Sequence, residues 1–492
     1  MGRSTPTNAD DPHSDTRPPR RRGALFFLEG CAVEHKKGSN LFRETLCCVM
    51  PRDYRTYYPD QDLLLPPSPR EWLPDTHIAF FISDAVDAMD LGAFHKRYGR
   101  SGPGKQAFHP SMMVKVLLYA YASGVFSSRR IASRLHEDLA FRFLAAENFP
   151  SHRTICDFRK RHLEEFKDLF VQVVQLAREA ELVRLGTIAI DGTKIRANAS
   201  KRKAMTYKRM KEEEARLRKE IRELTERARK LDDAEDEQYG SEGRGDELPQ
   251  ELARREDRLA AIQAAKQRLE KRQKEADDEK GREPGDHKPG GGKTGKPYKR
   301  PYGVPEEKTQ DNFTDPESRI MKTSTEGFQQ CYNAQAAVDA DEGIIIATGM
   351  TQSAADCNQL EPVLDRVEQN LGESVESVLA DAGYASEDNL QLLEDREIDA
   401  YVATGREKKI GEGKTPSRKT ALGRMASKIR TKRGKERYRK RKHIGEPPFG
   451  WIKRVLGFRQ FSMRGFTNVT CEWDLVCAAL NLRRMAGRME WN

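Results

Sequence analysis

Thr187-Ile188-Ala189-Ile190-Asp191-Gly192-Thr193-Lys194-Ile195-Arg196-Ala197-Asn198-Ala199-Ser200 is the stretch on which the chain turns. Ile188 and Ile190 alternate with smaller residues, the period of a short buried strand. Asp191 ends the apolar run and Gly192 follows, which reads as a strand breaking into a sharp turn. A carboxylate at the edge of an apolar strand is costly unless something positive pairs with it. An isolated Asp-Gly is ordinarily only a turn, but here the device recurs. Val378-Leu379-Ala380-Asp381-Ala382-Gly383-Tyr384 is again an apolar run ending in Asp and a Gly turn. Two such carboxylates from distant segments suggest one metal site.

Clustered carboxylates suit phosphoryl transfer with two divalent cations, and hard oxygen ligands suit Mg²⁺, with Mn²⁺ as a substitute. A third ligand is expected from a nearby helix. Downstream the chain carries Tyr438, Arg441, Glu446 and Lys453, and Glu446 and Lys453 share one face if the segment between them is helical. Pro447 and Pro448 are tolerable there only where a helix begins, so the helix is expected over Phe449–Val455. Glu472 is the rival third carboxylate.

Working outward, the 492 residues suffice for two or three domains, with 37% hydrophobic and 33% charged residues. No apolar run reaches the ~20 residues of a spanning helix, so no membrane partner is expected. Eight scattered cysteines form neither a C-x-x-C pair nor a disulfide framework, which fits a reducing cytoplasm. The net charge is +10, yet Arg406–Lys442 alone holds 17 Lys and Arg against three Glu, an excess that points to a polyanion, phosphate backbone above all.

Residues 1–49 read as a disordered extension rich in Pro, Arg and Asp. Residues 50–185 read as a helical DNA-binding domain. Within it a Ser-capped segment from Ser127 and a second from Ser151 outline a helix-turn-helix, with Arg153, Arg159 and Lys160 as expected DNA contacts. Residues 197–310 interrupt the strand pattern. Met210, Leu217, Leu224 and Leu231 recur every seven residues with Tyr207, Ile221 and Ala228 between them, a stripe of ~37 Å. Leu252, Leu259, Ile262 and Leu269 resume the stripe, so an inserted antiparallel coiled-coil hairpin is expected, with a Gly-rich return linker near 290–297; a separate dimerising coiled coil is the competing reading. Residues 186–196 and 311–492 then give strand, hairpin strand pair, helix, strand, helix, strand, helix, the order of a mixed α/β sheet flanked by helices.

Taken in order, I-D-G-T-K, A-N-A-S, D-A-G-Y and Y-x-x-R…E-(6)-K resemble the DDE transposases of bacterial insertion sequences, in the branch with the Y-R-E-K signature. T-D-P-E-S-R-I-M from Thr314, Y-N-A-Q from Tyr332 and F-x-x-F-x-x-R-G ending at Gly465 resemble the same branch, and the similarity runs from about Arg52 to the C-terminus. Two departures stand out. The Arg441–Glu446 gap is one residue longer than in the usual signature, and Pro447-Pro448 directly follows the Glu. The resemblance implies an RNase H-like catalytic domain with Asp191, Asp381 and Glu446 as catalytic, metal-binding residues. It implies that Tyr438, Arg441 and Lys453 contact the DNA end. It also implies double-stranded DNA partners, namely terminal inverted repeats and target, a homodimer or larger synaptic complex, and a cytoplasmic, nucleoid-associated protein. A related nuclease and a catalytically dead DNA-binding derivative are the alternatives, the latter disfavoured by the intact carboxylates.

Overall fold

Apolar periodicity decides where the helices lie before the first strand: α1 (Pro69–Trp72), α2 (Ile78–Asp87), α3 (Gly92–Lys96), α4 (Pro110–Ala122), α5 (Ser128–Glu137), α6 (Leu139–Leu144), α7 (His152–Arg161) and α8 (Leu163–Glu179). The computed structural model describes residues 69–98, 106–239, 250–286, 297–323, 326–405 and 417–488. The expected N-terminal extension over 1–49, most of the Gly-rich tract and the start of the basic segment lie outside them. α4 is apolar on nearly every face and buried along its length, as a helix packed on all sides must be. The helix-turn-helix outline needs correcting. Between α5 and α7 the chain makes not a bare loop but α6, capped by Asp138, which accepts from Ala140 N at 3.0 Å.

β1 (Thr187–Arg196) does not break at Asp191. It continues because β5 (Gly327–Asp339) pairs with it antiparallel from Ile188↔Asp339 to Arg196↔Cys331. β2 (Ala204–Thr206) then leads into α9 (Tyr207–Tyr239) and α10 (Gln250–Asp278), and β3 (Gln310–Asn312) returns to pair with β2. The two long helices run antiparallel. Glu220 meets Arg255 at 2.9 Å while Glu214, nearer the start of α9, meets Lys266 at 3.0 Å further along α10. Tyr207, Met210, Leu217, Ile262, Ala265 and Leu269 form their buried seam. Ile221, Leu224 and Leu259 are only half-buried, whereas Leu252, farther from the sheet, is buried; the side chains of Ala228 and Leu231 fall outside the description.

β4 (Arg319–Thr323) and β6 (Ile345–Thr351) share the other edge of β5. After α11 (Leu360–Leu371), β7 (Ser377–Ala380) enters parallel to β1. α12 (Glu387–Asp395) then leads to β8 (Asp399–Val402), parallel to β7. The sheet order is β4-β5-β1-β7-β8, with β6 also on β5. Four strands paired antiparallel (β4, β6, β5 and β1) followed by two parallel ones (β7 and β8), flanked by helices, form the RNase H-like mixed sheet. α13 (Ala421–Arg430), α14 (Lys432–Gly450) and α15 (Phe466–Ala486) complete the chain.

α15 ties the molecule together. It packs on α2, α4 and α8 as well as on β6, so the N-terminal helices and the sheet share one core. Trp473 is fully buried there. Its Nε1 donates to Gln335 O at 3.0 Å and its ring lies parallel to Phe449 at 6.2 Å. Pro66–Asn492 is accordingly one compact unit. Among the described residues no helix is long and apolar enough to cross a membrane, and Cys156, Cys331, Cys357, Cys471 and Cys477 are free thiols.

Candidate active site

Register brings the two aspartates together. β1 pairs with β7 from Thr187↔Ser377 to Ile190↔Ala380, so the next residue on each strand is Asp191 and Asp381. The parallel pairing stops at Ile190↔Ala380, so Asp191, still within β1, and Asp381, just past β7, stand side by side where the two strands part. Asp191 stays in extended backbone because β5 still supports β1 there, and its Oδ1 accepts from Gly192 N at 2.8 Å. Asp381 caps the turn at Ala382–Tyr384, accepting from Gly383 N at 2.8 Å.

Gly192 serves close approach rather than a turn. A Cβ there would stand 2.5 Å from Gln335 Nε2 and 2.8 Å from Asp356 Oδ1. Asp356 itself was not foreseen. It precedes α11 within Ser353-Ala354-Ala355-Asp356, a stretch with no periodic or motif signal. Its Oδ1 accepts from Asn333 Nδ2 at 2.7 Å and Gln335 Nε2 at 2.8 Å, and Tyr384 Oη donates to Gln335 Oε1. Y-N-A-Q and D-A-G-Y are therefore joined by a polar network behind the aspartates. Polar residues inside the otherwise apolar β5 were its only trace in the sequence.

α14 supplies the third carboxylate and a cation. Gly445 lets the helix lie against β1, where a Cβ would stand 3.4 Å from Asp191 Cβ. Arg441, almost buried, reaches Asp191 Oδ2 at 3.6 Å and Glu446 Oε1 at 3.7 Å, ion-pair distances too long for hydrogen bonds. Burial pushes the Asp191 carboxyl up to about 6; Arg441 and the Gly192 N–H oppose this, and Asp381 and Glu446 add to it. Burial works against the charge on Arg441, but Tyr438, Asp191 and Asp381 hold its pKa above the ordinary value. Tyr438 is itself buried, with Arg441 5.8 Å from its ring centre, so it supports Arg441 rather than facing solvent.

The helix does not begin at the prolines. α14 runs through Pro447 and Pro448, then widens into a π-turn at Trp451–Val455. Each proline withholds an N–H from the ladder, and a π-turn is a common way for a helix to absorb such a fault. The turn carries Lys453 back to β1, where its Nζ donates to Thr193 Oγ1 at 2.5 Å and Lys194 O at 3.0 Å. Burial lowers its pKa.

Glu472 lies elsewhere. It is buried and accepts from Tyr121 Oη at 3.0 Å, Ser462 N at 2.9 Å and Met463 N at 3.0 Å. Arg159 belongs to the same network, which corrects its expected role. Its guanidinium is buried and donates to Tyr121 Oη at 2.7 Å, Phe126 O at 3.1 Å and Ser128 Oγ at 2.6 Å. It cannot also meet DNA. Arg153 and Lys160, on the same helix, are exposed.

The donor set of Asp191, Asp381 and Glu446 is all hard oxygen, the chemistry that divalent Mg²⁺ or Mn²⁺ takes. Among the described residues no three side chains of His, Cys, Asp or Glu stand close enough to grip one ion as they lie. The Glu446 side chain is 55% exposed.

The family model described as Transposase DDE domain matches residues 303–482, and that described as Transposase domain (DUF772) matches residues 67–161. β1 and Asp191 fall between the two matches, so their place in the site rests on strand register alone. No curated protein and no solved structure matches the chain.

Proposed function

The chain belongs to the DDE transposases of insertion sequences, and from that membership we propose that it cuts the ends of its element and joins them to target DNA by metal-dependent phosphoryl transfer. Asp191, Asp381 and Glu446 are the catalytic carboxylates in this reading. The observation that carries it is the β1–β7 register, whose pairing stops at the residues just before Asp191 and Asp381, with α14 laying Arg441 and Glu446 across Asp191. Divalent cations bound there would lower the pKa of the attacking water or 3′-hydroxyl and offset charge on the leaving oxygen. The protein's own part is to hold Asp191 and Asp381 in place through Gly192 N and Gly383 N. Arg441 offsets the mutual repulsion of the carboxylates, and Lys453 adds positive charge along β1. The exposed basic residues of α14, Lys432, Lys435, Arg439 and Lys442, guide the DNA backbone toward Glu446. The working form is a homodimer or larger on double-stranded DNA in the cytoplasm.

Asp191→Asn, Asp381→Asn and Glu446→Gln test this reading. Each is nearly isosteric, so each should abolish cleavage of a labelled element end in Mg²⁺, by ~10⁴-fold or about 5.5 kcal/mol, while binding in Ca²⁺ persists. Glu472→Gln should stay active. Normal cleavage by Asp191→Asn would bring the reading down, and cleavage without joining to target would make the protein a nuclease.

A further inference from the structure

One side of β1 just past Asp191 opens into a cleft of about 740 Å³ that begins at Gly192 and Thr193. Three elements wall it. β1 gives Lys194 and Arg196, β4 gives Lys322, and the stretch from the π-turn onward gives Lys453, Arg454 and Arg459. Against these six cations the lining has one carboxylate, Glu326, already paired with Arg196 at 2.9 Å. Positive charge so poorly balanced, in a cleft that begins at the residue after Asp191, fits a phosphate backbone.

Beside this wall the β4–β5 pair carries exposed apolar side chains, one on each strand. Ile320 is 46% and Phe328 59% exposed. The register sets Lys322 opposite Phe328, and directly opposed residues of an antiparallel pair share a face, so the ring stands beside a cation that lines the cleft. A duplex hides the faces of its bases. An open aromatic ring among cations suits an unpaired strand, whose backbone meets the cations while a base stacks on the ring.

Resting on the transposase reading, we propose that this cleft holds an unpaired stretch of DNA beside the reacting phosphate. Phe328 stacks on one base, and Lys322, Arg454 and Arg459 meet the phosphates. The test uses the full chain in Ca²⁺ and two fluorescent probes: a blunt duplex and the same duplex with a mismatched, frayed end. The wild type should bind the frayed probe more tightly. Phe328→Ala should lose roughly tenfold on that probe and nothing on the blunt one, and Phe328→Trp should restore it. Lys322→Ala should flatten the salt dependence on the frayed probe, by about 1 in the log–log slope. Equal binding of both probes by the wild type, or an unchanged preference in Phe328→Ala, overturns the proposal. Cleavage of the element end in Mg²⁺ is measured alongside. If it proceeds normally while that preference is missing, only the cleft assignment fails; if the wild type neither cleaves nor binds either probe, the transposase reading fails with it.

Discussion

Gly192 shows how much a single hydrogen-for-methyl difference decides here. A methyl at that position meets the Gln335 amide and the Asp356 carboxylate well inside contact distance, and both belong to the network that ties Tyr384 behind Asp381. Gly192→Ala should therefore cut the cleavage rate by at least about tenfold, the scale of a small misplacement of reacting groups, with DNA binding in Ca²⁺ unchanged. Wild-type turnover would show that the network has slack. Asp474 offers a test of buried charge away from the site. It is fully enclosed, accepts from Thr348 Oγ1 at 2.5 Å, and burial pushes its pKa up to about 6. A carboxyl raised in the folded state binds its proton more tightly there than in the unfolded chain. Its ionisation thus costs stability as pH rises from the ordinary carboxylate range through about 6. Asp474→Asn should be more stable than the wild type by about 1–2 kcal/mol near pH 8, with the gap closing toward pH ~4. Urea denaturation at several pH values reads this directly; a gap independent of pH would remove Asp474 as its source.

Among the elements, the α9–α10 pair depends most on one residue at its base. Asp311, on β3 and buried, accepts from Arg268 at 2.7 Å and from Arg272, while Tyr207 Oη donates to Glu270 at 2.7 Å. Beyond the base, two long helices joined only to each other are marginal. Asp311→Ala leaves two guanidinium groups without their shared carboxylate; both are partly open to water, so the loss should be about 1–2 kcal/mol. Hydrogen exchange should quicken across Ile262–Arg272 while β7 keeps its protection. Equal quickening in both would mean that the hairpin and the sheet open as one unit.

For the whole molecule, the joint between the N-terminal helices and the sheet is polar as well as apolar. Arg159 on α7 and Glu472 on α15 both bond Tyr121, within a core that runs from α2 to β6. Arg159→Met should lower stability by about 3 kcal/mol, because Glu472 and Tyr121 lose their partner in a buried place. It should change DNA affinity only as far as unfolding does. Arg153→Ala and Lys160→Ala should do the opposite, leaving the melting temperature alone and each reducing the log–log salt slope of binding by about 1. A lower melting temperature in the second pair, with DNA binding intact, would place those side chains in the fold instead.

Period and motif alone determined a good deal of this. Alternating apolar residues located β1, β5, β6 and β7, a heptad stripe located α9 and α10, and the repeated strand-Asp-Gly device singled out Asp191 and Asp381. These signals are local, and neighbours along the chain suffice to write them. Three things depended on residues far apart in sequence. Asp191 proved to sit within a strand because β5, which begins at Gly327, extends the pairing past it. Asp356 joined the site because Asn333 and Gln335 reach it across the sheet edge. Arg159, polar and followed by exposed basic residues, reads as a surface contact until Tyr121 and Ser462, the latter 303 positions later, bond it in the interior. A side chain's burial and partners are set by what packs on it, and no window of sequence around it contains that surface.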